Sequence, residues 1–104
     1  VLLGIGEDGH TASLFPGRAW PDTMVFAVRD APKPPPDRVT LGIKALQRCE
    51  RMLVLAAGAG KADAVRRWRS GEDLPVAQVS DIDQATVLVD RAGMGLAVDQ
   101  VQAT

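Results

Sequence analysis

Asp8, Gly9 and His10 lie in a glycine-rich turn directly after the apolar run Val1–Ile5, and His10 is the only histidine in the chain. Imidazole is the side chain whose ordinary pKa lets it both take and give a proton near neutral pH. Asp8, two positions away, can orient or charge-balance it. Thr11-Ala-Ser13 follows and reads as the start of a short helix, with Thr11 near its N-cap. The exposed amides of such an end suit an oxyanion or a phosphate, and its dipole disfavours an imidazolium, which keeps His10 neutral and available as a base.

Other readings of the same turn are weaker. Gly4-x-Gly6-x-x-Gly9 matches the dinucleotide pattern, but Pro16 and Gly17 arrive before a full crossover helix can form. Ser13 sits outside a G-x-S-x-G elbow and reads as a helix-turn hydroxyl. A catalytic zinc needs about three protein ligands, and only Asp8 and His10 cluster, so neither metal nor cofactor is expected.

The elements that position this turn follow from patterning. Val1–Ile5 is uniformly apolar, as in a buried parallel strand, with the turn at its carboxyl end. Met24–Arg29, Arg38–Ile43, Arg51–Ala57, Pro75–Val79 and Thr86–Val89 are further strand candidates. Lys44–Glu50 and Lys61–Arg69 read as helices, the latter amphipathic through Ala62, Ala64, Val65 and Trp68. Arg91 to about Val101 reads as a last helix weakened by Gly93 and Gly95. Pro32, Pro34, Pro35 and Pro36 predict a stiff, extended connector over Asp30–Asp37. Lys33 within it reads as solvated, and Trp20 and Trp68 read as packing residues. Strands alternating with helices imply a layered α/β domain with a mainly parallel sheet.

The chain has 104 residues, enough for one domain that buries roughly two thirds of its extended surface. Its 12 basic and 13 acidic side chains nearly cancel, which gives no basic field to attract nucleic acid or an anionic membrane. A small-molecule partner fits better. The single cysteine, Cys49, cannot form an internal disulfide, and apolar stretches are too short to span a bilayer, so a cytoplasmic location is expected.

GIGEDGHTASLFPG over residues 4–17 resembles the signature of the 6-phosphogluconolactonases. Pro32–Leu41 resembles that family's second characteristic stretch, and Gly58-Ala-Gly-Lys61-Ala62 is similar to its G-x-x-K-A segment. The resemblance implies a Rossmann-like three-layer sandwich of which residues 1–104 form the C-terminal portion, with an N-terminal half of the same domain expected as partner. It also implies the lactone step of the oxidative pentose phosphate pathway, the hydrolysis of 6-phospho-D-glucono-1,5-lactone. In that reading His10 is the general base and Asp8 holds it or the attacking water. Gly6 and Gly9 leave room for the sugar ring, amides around His10 and Thr11 bind oxygens, and Lys61 binds the phosphate. Arg38 either faces the site or salt-bridges the strand edge. Two alternatives stay open. Glucosamine-6-phosphate deaminases share the G-x-G-x-D-G-H core but continue I-A-F-N-E-P-G, unlike Thr11, Ser13, Leu14 and Phe15 here. The other is a sugar-phosphate-binding fragment without catalysis.

Overall fold

The computed structural model describes residues 1–97. Three strands form a parallel sheet: β1 (Leu2–Gly4), β4 (Met52–Ala56) and β5 (Ala85–Val89), in the order β1-β4-β5. The register pairs Leu3 with Val54 and Val54 with Val87. Between β1 and β4 the chain makes an antiparallel pair, β2 (Val25–Val28) with β3 (Arg38–Leu41), and then helix α1 (Ile43–Gln47). Between β4 and β5 run a single 3-10 turn (Ala59–Lys61), helix α2 (Ala62–Arg69) and helix α3 (Pro75–Val79). The expected α/β architecture with a parallel sheet is thus present.

Alternation along the strands selects one sheet face for the core. Leu3, Met52, Val54 and Ala56 are buried there against Leu46 of α1, Ala64 and Val65 of α2, and Val76 and Val79 of α3. In α2 the spacing from Val65 to Trp68 keeps one stripe on the sheet, and Trp20 and Trp68 both pack against this core as anticipated. Leu2, Leu55 and Leu88 share the opposite face and stay exposed, so the described residues supply one helical layer of the fold.

Four expectations of local structure are corrected. Pro75–Val79 is a helix, not a strand: Pro75 occupies its first turn, where a missing N–H costs nothing, and Val76 and Val79 are buried together at helical spacing. A five-residue segment, apolar except for Gln78, carries too little periodicity to separate the two states. Thr11–Leu14 is not a helix start, because Thr11 and Leu14 form an isolated bridge, Leu14 N–H donates to Thr11 O at 3.0 Å, and Ala12 adopts φ +50°. The proline segment is not extended. It bends back until Ala31 N–H donates to Pro36 O at 2.9 Å. The helix expected from Arg91 is also absent over its described part, where Arg91–Gly95 makes turns and Leu96–Ala97 is irregular, and residues 98–101 of that expectation lie outside the described residues.

Candidate functional site

The loops that follow β1 and β4 meet at the carboxyl ends of these adjacent parallel strands, where open α/β sheets place their ligands. A cavity of about 540 Å³ lies there, within the range of small-molecule sites. Gly6, Glu7, His10, Thr11, Lys33 and Lys61 are among its lining residues.

His10 is held from several sides. Asp8 Oδ1 lies 2.5 Å from the ring Nδ1 and also accepts the His10 backbone N–H at 3.0 Å. The Phe15 ring packs at 4.7 Å between centroids with a 41° tilt, and only 17% of the His10 side chain remains exposed. Gly6 completes the enclosure, because a Cβ on it would stand 2.0 Å from Nδ1. Partial burial pushes the Asp8 carboxyl up, but hydrogen bonds from the His10 amide and ring, and the charge of an imidazolium, outweigh this and hold Asp8 below the usual 3.8. An ionised Asp8 makes Nδ1 the donor, which leaves Nε2 as the nitrogen with a lone pair.

Lys61 reaches the same cavity from the 3-10 turn after β4. Its Nζ donates to Ile5 O at 2.5 Å, which ties the two loops together and leaves two ammonium donors. Thr11 is buried, and its hydroxyl donates to Gly4 O at 2.8 Å, closing the turn back on β1.

Three expected site residues do not line the cavity: Asp8 meets it only through His10, and two others are elsewhere. Gly9 does not line the cavity: at φ +89° it turns the chain, and a Cβ there would stand 2.9 Å from the Leu74 side chain, so its value is close packing on the segment entering α3. Among the described residues, Arg38 neither lines the cavity nor forms a salt bridge at the strand edge. Its Nη2 donates to the carbonyls of Lys33 (3.0 Å) and Pro34 (2.9 Å), its Nε to Pro35 O at 3.0 Å, and its guanidinium lies 5.3 Å from the Phe15 ring centre. Prolines lack N–H groups but keep their carbonyls, and one planar fork collects three consecutive ones. That convergence is what bends the segment expected to be extended.

Two lining residues were missed. Glu7 went unremarked in the glycine turn, and Lys33, exposed as expected, also borders the cavity, with its Nζ 4.0 Å from Glu7 Oε2. The available signal was their opposite charge in the two stretches that carry the family resemblance. The helix end expected to bind an anion is absent, since Ser13 N–H instead donates to the Thr40 hydroxyl at 3.1 Å.

A family model for glucosamine-6-phosphate isomerases and 6-phosphogluconolactonase matches residues 1–88. The chain belongs to this family. The 6-phosphogluconolactonase of Mycobacterium tuberculosis is 43% identical over 96 residues, which cover 86% of the chain and 39% of that protein. Among solved structures, the 6-phosphogluconolactonase of Leishmania guyanensis aligns with a TM-score of 0.72 at 35% identity, over 88% of the chain and 39% of the other. A monomeric glucosamine-6-phosphate deaminase aligns with a TM-score of 0.76 at 30% identity, over 92% and 46%. The chain therefore spans about two fifths of the length of the curated relatives it matches. Among the described residues no helix is long and apolar enough to cross a membrane.

Proposed function

We propose that the protein takes part in the hydrolysis of 6-phospho-D-glucono-1,5-lactone to 6-phospho-D-gluconate. The observation that carries this reading is the Asp8–His10 pair and the Lys61 ammonium on one cavity. The family membership and the names of the relatives support it. In this scheme His10 Nε2 takes a proton from water as the water oxygen attacks the lactone carbonyl carbon. The carbonyl electron pair moves onto its oxygen, towards the backbone of Thr11 and Ala12 at the cavity wall. Collapse of the tetrahedral intermediate breaks the bond to the ring oxygen, which leaves with the proton held by the imidazolium. Asp8 stays ionised throughout and keeps Nδ1 as the donor. Lys61 holds the phosphate with its remaining donors. Gly6 leaves space for the ring, and Gly9 and Arg38 act on the loops that frame the pocket.

The test is lactone consumption by the full-length protein, corrected for spontaneous hydrolysis. His10→Ala is expected to lower kcat/KM by about 10²- to 10⁴-fold with the fold intact, as for loss of a general base. Turnover within tenfold of the unmodified protein, a loss of less than about 1.4 kcal/mol, overturns the role given to His10. Robust ammonia release from glucosamine 6-phosphate in place of lactone hydrolysis turns the reading to the deaminase alternative.

A further inference from the structure

The cavity carries a second cation that this mechanism does not use. Lys33 lines it from the proline segment, opposite a carboxylate that no catalytic step requires. Within the mechanism above, Lys61 is the one phosphate ligand assigned among the described residues. One of its three donors is already on Ile5 O, while a phosphate monoester presents three strongly accepting oxygens and close to two negative charges. Glu7 adds to the mismatch, because it places negative charge beside the site where an anion would enter.

We propose that Lys33 is a second phosphate-binding cation, paired with Glu7 and transferred to the phosphate when ligand enters. The choice of a phosphorylated ligand rests on the function proposed above. The Lys33–Glu7 contact is long, 4.0 Å, and both side chains are substantially exposed, which makes it a weak and exchangeable pair. The backbone beneath Lys33 is anchored: Arg38 binds the carbonyls of residues 33, 34 and 35. A flexible side chain on a fixed base can swing between two anions without moving the loop. Glu7 leans across the loop that carries Lys61, with Oε1 2.9 Å from where a Cβ on Gly60 would stand. Glu7 therefore competes with ligand for Lys33 and selects for anions strong enough to displace it.

The test compares the unmodified full-length protein with Lys33→Gln and Glu7→Gln. Titration with inorganic phosphate, followed by calorimetry, is expected to weaken about five- to tenfold in Lys33→Gln and to tighten about two- to threefold in Glu7→Gln, the range for a rim charge pair. With the lactone, Lys33→Gln is expected to raise KM rather than lower kcat, and the loss is expected to be at least about fivefold greater on the phosphorylated lactone than on D-glucono-1,5-lactone. Phosphate affinity unchanged in Lys33→Gln overturns the proposal, as does an equal loss on both lactones. If the unmodified protein hydrolyses neither lactone, the proposed function fails, and the phosphate titrations of the two variants still decide the role of Lys33.

Discussion

The glycine loop after β1 and the proline loop before β3 border one cavity and are held by opposite means. The first is fixed from within: Gly6 N–H donates to His10 O, Gly9 N–H donates to Gly6 O, and Asp8 binds His10 through both backbone and ring. The second has few backbone donors of its own and is fixed from outside, by Arg38. His10 sits in the loop that constrains it from several sides, the constancy that the proton transfer proposed for it would need, since misplacement by about 1 Å can cost 10²-fold in rate. The adaptable cation sits in the loop that leaves its side chain free to move.

Gly6→Ala strikes that contrast hardest. The added methyl would lie 2.0 Å from His10 Nδ1 and 2.9 Å from Asp8 Oδ1, so ring, carboxylate and methyl cannot share the space. The imidazole has to leave its position, and turnover is expected to fall by about 10³-fold or more, as in loss of the base itself. Steady-state lactone kinetics beside a thermal melt would check it. A variant with melting temperature unchanged and turnover within tenfold, about 1.4 kcal/mol of barrier, would mean that the loop does not hold the ring as tightly as its contacts indicate.

Asp8→Asn sharpens the same comparison with less steric insult. An amide can present its N–H₂ to Nδ1 and impose the wrong tautomer, so kcat is expected to fall about 10²-fold. The variant also carries a stability signature. Because the folded-state pKa of Asp8 lies below 3.8, its ionised form stabilises the fold fully above that value, and this contribution disappears as pH falls through the lowered folded value. Denaturant midpoints followed downward from pH 6 should therefore drop more steeply below pH 4 in the unmodified protein than in Asp8→Asn, and parallel curves would remove Asp8 from the acid-labile set.

These two loops also mark where the sequence was legible. The sheet was readable because β1 and β4 are apolar runs long enough to need a core, and α2 because its apolar residues recur at helical spacing. His10 and Lys61 were legible as candidates because their residue types imply chemistry, and two short loops do bring them to one cavity, with Asp8 on the His10 ring. α3 was misread because five residues, apolar except for Gln78, are compatible with either state. The shape of the proline loop was hidden for a different reason. It depends on a guanidinium beyond the segment's end gathering carbonyls, and carbonyls leave no trace in residue identity. Ala12 was equally opaque, since its positive φ follows from closure between Thr11 and Leu14 rather than from its own preference.

The smallest expected effect separates two roles for Arg38. If its guanidinium only organises the proline loop, Arg38→Lys is as harmful as Arg38→Ala, because a lysine keeps the charge but cannot bind three carbonyls at once. Each variant should then raise KM for the phosphorylated lactone about threefold, leave kcat nearly constant, and cost about 1 kcal/mol of stability, the net worth of a few partly exposed hydrogen bonds. A direct ligand of the phosphate behaves differently, since Arg38→Lys would then restore most of the affinity lost in Arg38→Ala. The ratio of the two KM values is thus the quantity to measure. A ratio near one keeps Arg38 on the loop, and a lysine that rescues binding moves it into the cavity beside Lys33, which would give the outside-held loop two cations for the ligand instead of one.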